Sequence, residues 1–464
     1  MRGILRAAAY LPYRRLDAMD VSAFFGAGGG RGTRTVASHD EDTTTMAVEA
    51  GRRALVGGVG IDSLNFATPT PAYADKNNAS TIHAALGLPA TVGAWDAGSS
   101  LRSSTGALLA AIKGGGTSLL VAADLRDGLP TSADESGGGD GAAALVIGDE
   151  SAELPVLAEL IGSASITDEF LDRWRAPGER RSRVWEERFG ENRYVELGRA
   201  AASAALADAA VPPDAVDRIL VSGLHNRAVK SVASKLAGGR DVLQDPVSGA
   251  TGQMGGAHPL VLLAEAIESS DAGQLILLVH LADGADALVF RRSEAAVTTS
   301  SSLRSQLAEC GSLSYAKFLT WRGMVDVEPP RRPEPQRVSS SAAWRSEDWK
   351  FGFVGSKDPA NGAITMPPAR ISKATGSVDE MQPVAMADVE GSIVTFTIDR
   401  MAYSPSPPIV FAVVDFDGGG RFPVELTDVD ADEVSIGDRV AMTFRRLFTA
   451  DGIHDYFWKG RLVR

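Results

Sequence analysis

Gln274-Leu-Ile-Leu-Leu-Val-His-Leu281 is followed, after Ala282-Asp-Gly284, by Ala285-Asp-Ala-Leu-Val-Phe-Arg-Arg292. Runs this short and this apolar read as strands of a sheet covered on both faces, because a helix of similar burial needs more residues. Two more such runs lie upstream, Ser118-Leu-Leu-Val-Ala122 and Ala142-Ala-Ala-Leu-Val-Ile147. Around them the apolar spacing becomes helical. Residues 40–55 lead with acids, carry Thr43 to Thr45 as capping candidates and repeat Met46, Ala50 and Ala54 at helical spacing. Helices are also predicted over 79–86, 104–113, 194–209, 229–236 and 259–267, and further strands over 3–11, 63–67, 91–95 and 218–222. Strands and helices alternate twice in succession. The expected fold is therefore α/β, layered and duplicated, with halves at 1–150 and 151–325. A charged segment, 168–194, with Trp174, Trp185 and Phe189, interrupts the second half, and the glycine-rich stretch 26–32 lacks a GxGxxG register and reads as a loop.

From about residue 297 the pattern changes. Residues 328–337 are rich in proline and charge, so 326–343 reads as a linker. Five runs of strand character follow, at 389–398, 409–415, 421–426, 439–447 and 454–462, enough for a small all-β barrel of the OB type. The 464-residue length fits several compact units, and 44% hydrophobic with 23% charged residues is ordinary globular composition. A formal charge of −13 disfavours nucleic acid or an anionic membrane as partner. Cys310 is the only cysteine, which excludes an internal disulfide and a multi-cysteine metal site. No 18-residue apolar run is present, and arginines at 2, 6, 14 and 15 make a poor signal peptide, so a cytoplasmic protein is expected.

Five stretches occur in a telling order: Ala9-Tyr-Leu-Pro12, Asp40-Glu-Asp-Thr-Thr-Thr-Met-Ala47, Ala84-Ala-Leu-Gly-Leu88, Gly141-Ala-Ala-Ala144 and Leu281-Ala-Asp-Gly-Ala-Asp-Ala287. Together they resemble the branch of the thiolase superfamily that contains HMG-CoA synthase and ketoacyl carrier-protein synthase III. That resemblance implies an αβαβα body and a three-residue chemistry. A cysteine at a strand–helix junction takes the acyl group, while a histidine and an asparagine polarise the thioester carbonyl. In Ala94-Trp-Asp-Ala-Gly-Ser-Ser-Leu-Arg-Ser-Ser-Thr-Gly106 the cysteine's place, five residues after Asp96, holds Leu101, which cannot be acylated. His225-Asn-Arg227 matches the histidine motif, and Gly252-Gln-Met-Gly-Gly-Ala257 puts Gln253 in the asparagine's place. The glutamate base of HMG-CoA synthases, which precedes Tyr73-Ala-Asp-Lys76, falls on Pro69. The resemblance thus implies His225 and Gln253 as catalytic residues and Ser100, Arg102, Ser103, Tyr73 and Asn226 as substrate-binding ones. Ser100 or Ser103 as nucleophile needs a stronger base than this pattern offers, and Cys310 has no catalytic motif around it.

Residues 344–464 resemble the zinc-ribbon-plus-OB domain that accompanies thiolases and HMG-CoA synthases in multi-enzyme complexes. The ribbon, 344–388, keeps Pro367-Pro368, but its two knuckles fall on Asp358, Asn361, Ser372 and Thr375, and no zinc is expected without thiolate or imidazole. The OB part, 389–464, carries Asp415, Asp417, Asp428, Asp430, Asp432 and Glu433, which points to protein or CoA contacts rather than nucleic acid. The function these resemblances imply is an acyl-CoA-binding component, with a CoA thioester as ligand and no covalent cofactor. It would act as a homodimer, or in complex with a separate thiolase-type subunit, with residues 91–95 as the self-pairing edge. The alternative is an independent carbon–carbon lyase (retro-aldol) or acyltransferase that works non-covalently through His225.

Overall fold

The computed structural model describes residues 1–243, 245–328 and 331–464, so Pro329 and Pro330 of the predicted linker lie outside the described residues. The chain divides into two compact units. The first comprises Met1–Ala37, Ala50–Ala79 and Ala90–Tyr315; the second comprises Ser38–Glu49, Ser80–Pro89 and Ala316–Arg464.

Nine strands build one sheet in the first unit: β1 (Arg2–Tyr10), β2 (Ser63–Ala67), β3 (Gly93–Asp96), β4 (Ser118–Asp124), β5 (Gly141–Asp149), β6 (Ala158–Thr167), β7 (Arg218–Gly223), β8 (Leu275–Leu281) and β9 (Gly284–Arg292). Their order is β7-β8-β9-β6-β1-β5-β4-β2-β3. The duplication is visible in the pairing. β1–β5 and β5–β4 are antiparallel and β4–β2 is parallel; β6–β9 and β9–β8 are antiparallel and β8–β7 is parallel. The halves join at one register pair, Ile4 opposite Ala158. Strand β6 was not foreseen, because Glu159, Ser163 and Ser165 break its apolar character. Strand β3 is an edge, and its Trp95 is half-exposed.

Helix α1 (Ser103–Lys113) and helix α2 (His258–Ser269) both pack into the apolar core through Leu108 and through Leu260 to Ala264. Helix α2 is buried continuously from His258 to Ala264, the signature of a central layer rather than an amphipathic surface helix. This placement matters for chemistry. Leu101 lies just before α1, and the 252–257 loop runs directly into α2, so both loops sit at helix N-termini inside the fold.

In the second unit five strands close a barrel in the order β10-β11-β12-β14-β13, where β10 is Gly391–Asp399, β11 Ile409–Phe416, β12 Arg421–Leu426, β13 Arg439–Ala450 and β14 Ile453–Leu462. Alternation puts Val410, Ala412, Val414, Val424, Leu426, Phe444 and Trp458 inside. The acidic run at 40–42 belongs to this unit and serves it. Arg445 is buried against Glu41 and Asp428, Lys459 is buried 3.0 Å from Asp40, and Tyr456 donates to Asp42 at 2.7 Å. Burial alone would raise the Asp40 carboxyl, but Lys459, His39 and Arg445 together hold it far below the usual carboxylate range. The helix cap expected from Thr43 to Thr45 is instead Asp42, whose Oδ1 accepts from Thr45 N–H at 2.9 Å, while Thr45 Oγ1 accepts from Asp42 N–H at 2.9 Å.

Candidate functional site

Three sequence positions far apart in the chain converge before α1 and α2. A methyl group built on Gly256 would lie 3.3 Å from Pro69 Cδ and 3.8 Å from Leu101 Cα. The loop is pinned from below by Asp124 at the end of β4. Its fully buried carboxylate accepts from Gly256 N–H at 3.0 Å and from the Thr70 hydroxyl at 2.9 Å. Gly252, with φ +71°, allows the turn that presents Gln253. The positions matched to the nucleophile, the base and the asparagine motif are therefore neighbours.

The neighbouring substrate-binding candidates are engaged with one another or with other residues of the fold. Ser100 N–H donates to Ser103 Oγ at 3.1 Å, and their hydroxyls are 3.2 Å apart. Arg102 is turned to β9, gripping Asp286 through two bonds of 3.0 and 2.7 Å and also donating to the Asp283 carbonyl. Tyr73 N–H donates to Asn78 Oδ1, and Asp96 accepts from Asn78 and from Ala79 N–H, which ties down the start of the helix Ala79–Ala85. Beneath Leu101, the buried His280 ring lies 3.1 Å from the Leu101 carbonyl. Cys310 is exposed beyond the short helix Leu303–Ala308.

His225, Asn226 and Gln253 line one cavity of about 340 Å³ together with Arg126, Asp172 and Arg173. His225 caps helix α3 (Asn226–Ala237), its Nδ1 accepting from Ala228 N–H at 3.2 Å. Its Nε2 lies 2.8 Å from the Glu187 carbonyl. These partners assign the tautomer: a ring nitrogen that accepts carries no proton, so Nε2–H is the donor to Glu187. Both nitrogens are thereby spent on backbone groups. Gln253 Nε2 reaches Ser248 Oγ at 3.4 Å, which sits 3.0 Å from His258 Nε2, and Gln253 Oε1 is buried without a partner among the described residues. The cavity also holds a residue the sequence did not single out. Asp172 lies in the charged segment, whose Arg173–Trp174 and Arg183–Val184 form a small hairpin ahead of helix α4 (Glu187–Asp208). That helix starts at Glu187 rather than at 194, and Glu187 itself lines the cavity. No motif spacing marks Asp172. The only sequence signal is one acid set between Phe170-Leu171 and Trp174.

The family model for the ChsH2 C-terminal OB-fold domain matches residues 383–445. Hydroxymethylglutaryl-CoA synthase of Thermococcus sibiricus is 27% identical over 299 residues, 62% of this chain and 85% of that protein. The Methanopyrus kandleri protein of the same name is 26% identical over 305 residues, 62% and 86%. Among solved structures, 3-oxoacyl-(acyl carrier protein) synthase III from Pseudomonas aeruginosa PAO1 covers 64% of this chain and 99% of its own, with TM-score 0.54 and 19% identity. HMG-CoA synthase complexed with CoA covers 73% and 95%, with TM-score 0.57 and 16% identity. The body has the fold of these thiolase-like structures. The barrel that follows it is an OB-fold.

Ahead of the OB-fold, three of the four knuckle positions come together. Asp358 Oδ2 accepts from the Ser372 and Thr375 hydroxyls at 2.5 and 2.6 Å, and Oδ1 accepts from Ala360 N–H at 2.9 Å. Those hydroxyls hold the Asp358 carboxyl below its ordinary range. Asn361 keeps to its own turn, accepting from Ala363 N–H. A carboxylate thus links the two turns by hydrogen bonds. Among the described residues, no group of three or more His, Cys, Asp or Glu side chains is arranged to hold a metal ion. No helix among them is long and apolar enough to cross a membrane.

Proposed function

We propose that the thiolase-fold body binds an acyl-CoA thioester at the cavity lined by His225, Asn226 and Gln253, without becoming acylated. In this reading it hands the bound thioester to a separate, cysteine-bearing thiolase-type subunit. The observation that carries it is the meeting of Leu101, Pro69 and the Gly256 loop at the ends of two central helices, beside a cavity of ligand size. The site's helix termini and amides suit a thioester carbonyl, while an isobutyl group stands where a thiol would attack. The similar solved HMG-CoA synthase is complexed with CoA, which supports the ligand class. Independent catalysis through His225 fits less well, since both its ring nitrogens already hold backbone groups. Calorimetry with acetyl-CoA tests the binding: saturable uptake, weakened by a bulky Gln253→Trp change, is expected. Absence of binding refutes the reading. Recovery of the chain from its host without any thiolase-type subunit refutes the partnership.

A further inference from the structure

We infer that Asp172 is a proton-transfer group of this cavity, exchanging a proton with the α-carbon of a bound thioester. The inference rests on the acyl-CoA reading above but does not follow from it. Asp172 is 5% exposed and lines the cavity, and its Oδ1 is buried with no hydrogen-bond partner among the described residues. A buried carboxylate oxygen without a partner is costly, and structural acids are ordinarily satisfied. Here the nearest donors are committed elsewhere. Arg173, its chain neighbour, spends its guanidinium on Asp134 in two bonds of 2.8 Å each. His225 turns its N–H to the Glu187 carbonyl.

The surrounding backbone is shaped to admit this carboxyl. Gly190 sits in the first turns of α4, where glycine costs about 1 kcal/mol relative to alanine. A methyl group there would come within 2.4 Å of Asp172 Oδ1 and 3.3 Å of His225 Cδ2. The glycine thus makes room for the acid and the imidazole side by side. Burial pushes the Asp172 carboxyl up; His225 and Arg173 oppose this, while Asp283 and Glu187 add to it. A raised carboxyl is a stronger base when ionised, which is what removal of a proton next to a thioester requires.

The step balances without any co-reactant. The Asp172 carboxylate takes a proton from the α-carbon, and the C–H electron pair becomes the C=C bond of the enolate. The carbonyl π pair moves to the thioester oxygen, to which the amide N–H of cavity-lining Asn226 can donate. The resulting carboxylic acid then returns a proton to the same carbon. In D2O that proton has exchanged with solvent, so the acyl group gains deuterium.

The test is acetyl-CoA incubated with the full chain in D2O, with methyl deuteration followed by mass spectrometry and binding measured in parallel by calorimetry. The wild type should deuterate the methyl group, with a rate that rises with pH through an inflection above the usual carboxylate range. Asp172→Asn should bind acetyl-CoA within about two-fold of wild type and exchange at least ~100-fold more slowly. Three results overturn the inference while leaving binding intact: a wild type that binds but does not exchange, an Asn variant that exchanges at the wild-type rate, or an inflection at the ordinary value near ~4. The pH profile decides alone if the variant does not fold. A wild type that binds no acetyl-CoA overturns the binding reading and this inference together.

Discussion

Replacing His225 separates a structural imidazole from a catalytic one. In His225→Ala, helix α3 loses the acceptor for Ala228 N–H, and the Glu187 carbonyl loses its donor. A side-chain cap contributes about 1 kcal/mol, and a buried carbonyl left without its partner costs about 1 kcal/mol more. The ring is buried, so its removal also leaves a void. The expected destabilisation is about 2–3 kcal/mol, read as a lower urea midpoint at unchanged slope. Asparagine is a favoured cap residue and is too short to replace the Nε2 bond, so His225→Asn should recover about 1 kcal/mol of the loss. Any thioester chemistry of the body should decline only in step with the folded fraction in both variants. The reasoning is refuted if His225→Ala unfolds at the wild-type urea concentration yet abolishes chemistry, because that pattern belongs to a residue acting on the substrate.

Burial lowers His258 to about 4 and lowers His280 as well. An unfolded histidine titrates near ~6.5, so the unfolded chain binds more protons below that pH, and stability should fall as pH drops from 6.5 toward 4, by about 3 kcal/mol for His258 alone. Urea midpoints that do not change over that window, or that change identically in His258→Asn, contradict this. Intact mass after brief incubation with acetyl-CoA and acid quench should show an unmodified chain, and an acyl group mapped to Ser100, Ser103 or Cys310 would sink the non-covalent reading. Asp358→Ala should lower the melting temperature of the second unit, whose two turns this carboxylate joins, and added zinc should leave the native melting temperature unchanged. The half-exposed Trp95 on edge strand β3 suits self-pairing, so sedimentation at micromolar concentration should give a dimer, and Trp95→Lys a monomer; a monomeric wild type would point to a different partner.

The apolar runs at 118–122, 142–147 and 274–281 were legible because a strand buried on both faces has little choice of residue, and each run matches an observed strand, the last with one extra residue at its start. The five barrel strands were legible for a related reason, since turn residues bound them closely. Strand β6 was not, because a half-exposed strand with serines and glutamate has no distinctive local pattern. The role of Asp40 to Asp42 was hidden too: the sequence shows three acids at a helix start, while their buried partners Arg445, Tyr456 and Lys459 come roughly four hundred residues later.

By itself the sequence determined the duplicated α/β body, the barrel after it, and the residue types at each matched position, including the leucine at 101 and the missing knuckle thiolates. The strands and helices follow from local composition and spacing, and the matched positions from the resemblance to known families; the chain carries both wherever it folds. Only the tertiary structure decided what the side chains are free to do. It spent both nitrogens of His225 on backbone groups, turned Arg102 to Asp286, and left Asp172 Oδ1 buried without a hydrogen-bond partner among the described residues. Availability for chemistry is set by which hydrogen bonds are already made, and those bonds join residues far apart in the chain, where spacing along the sequence carries no information.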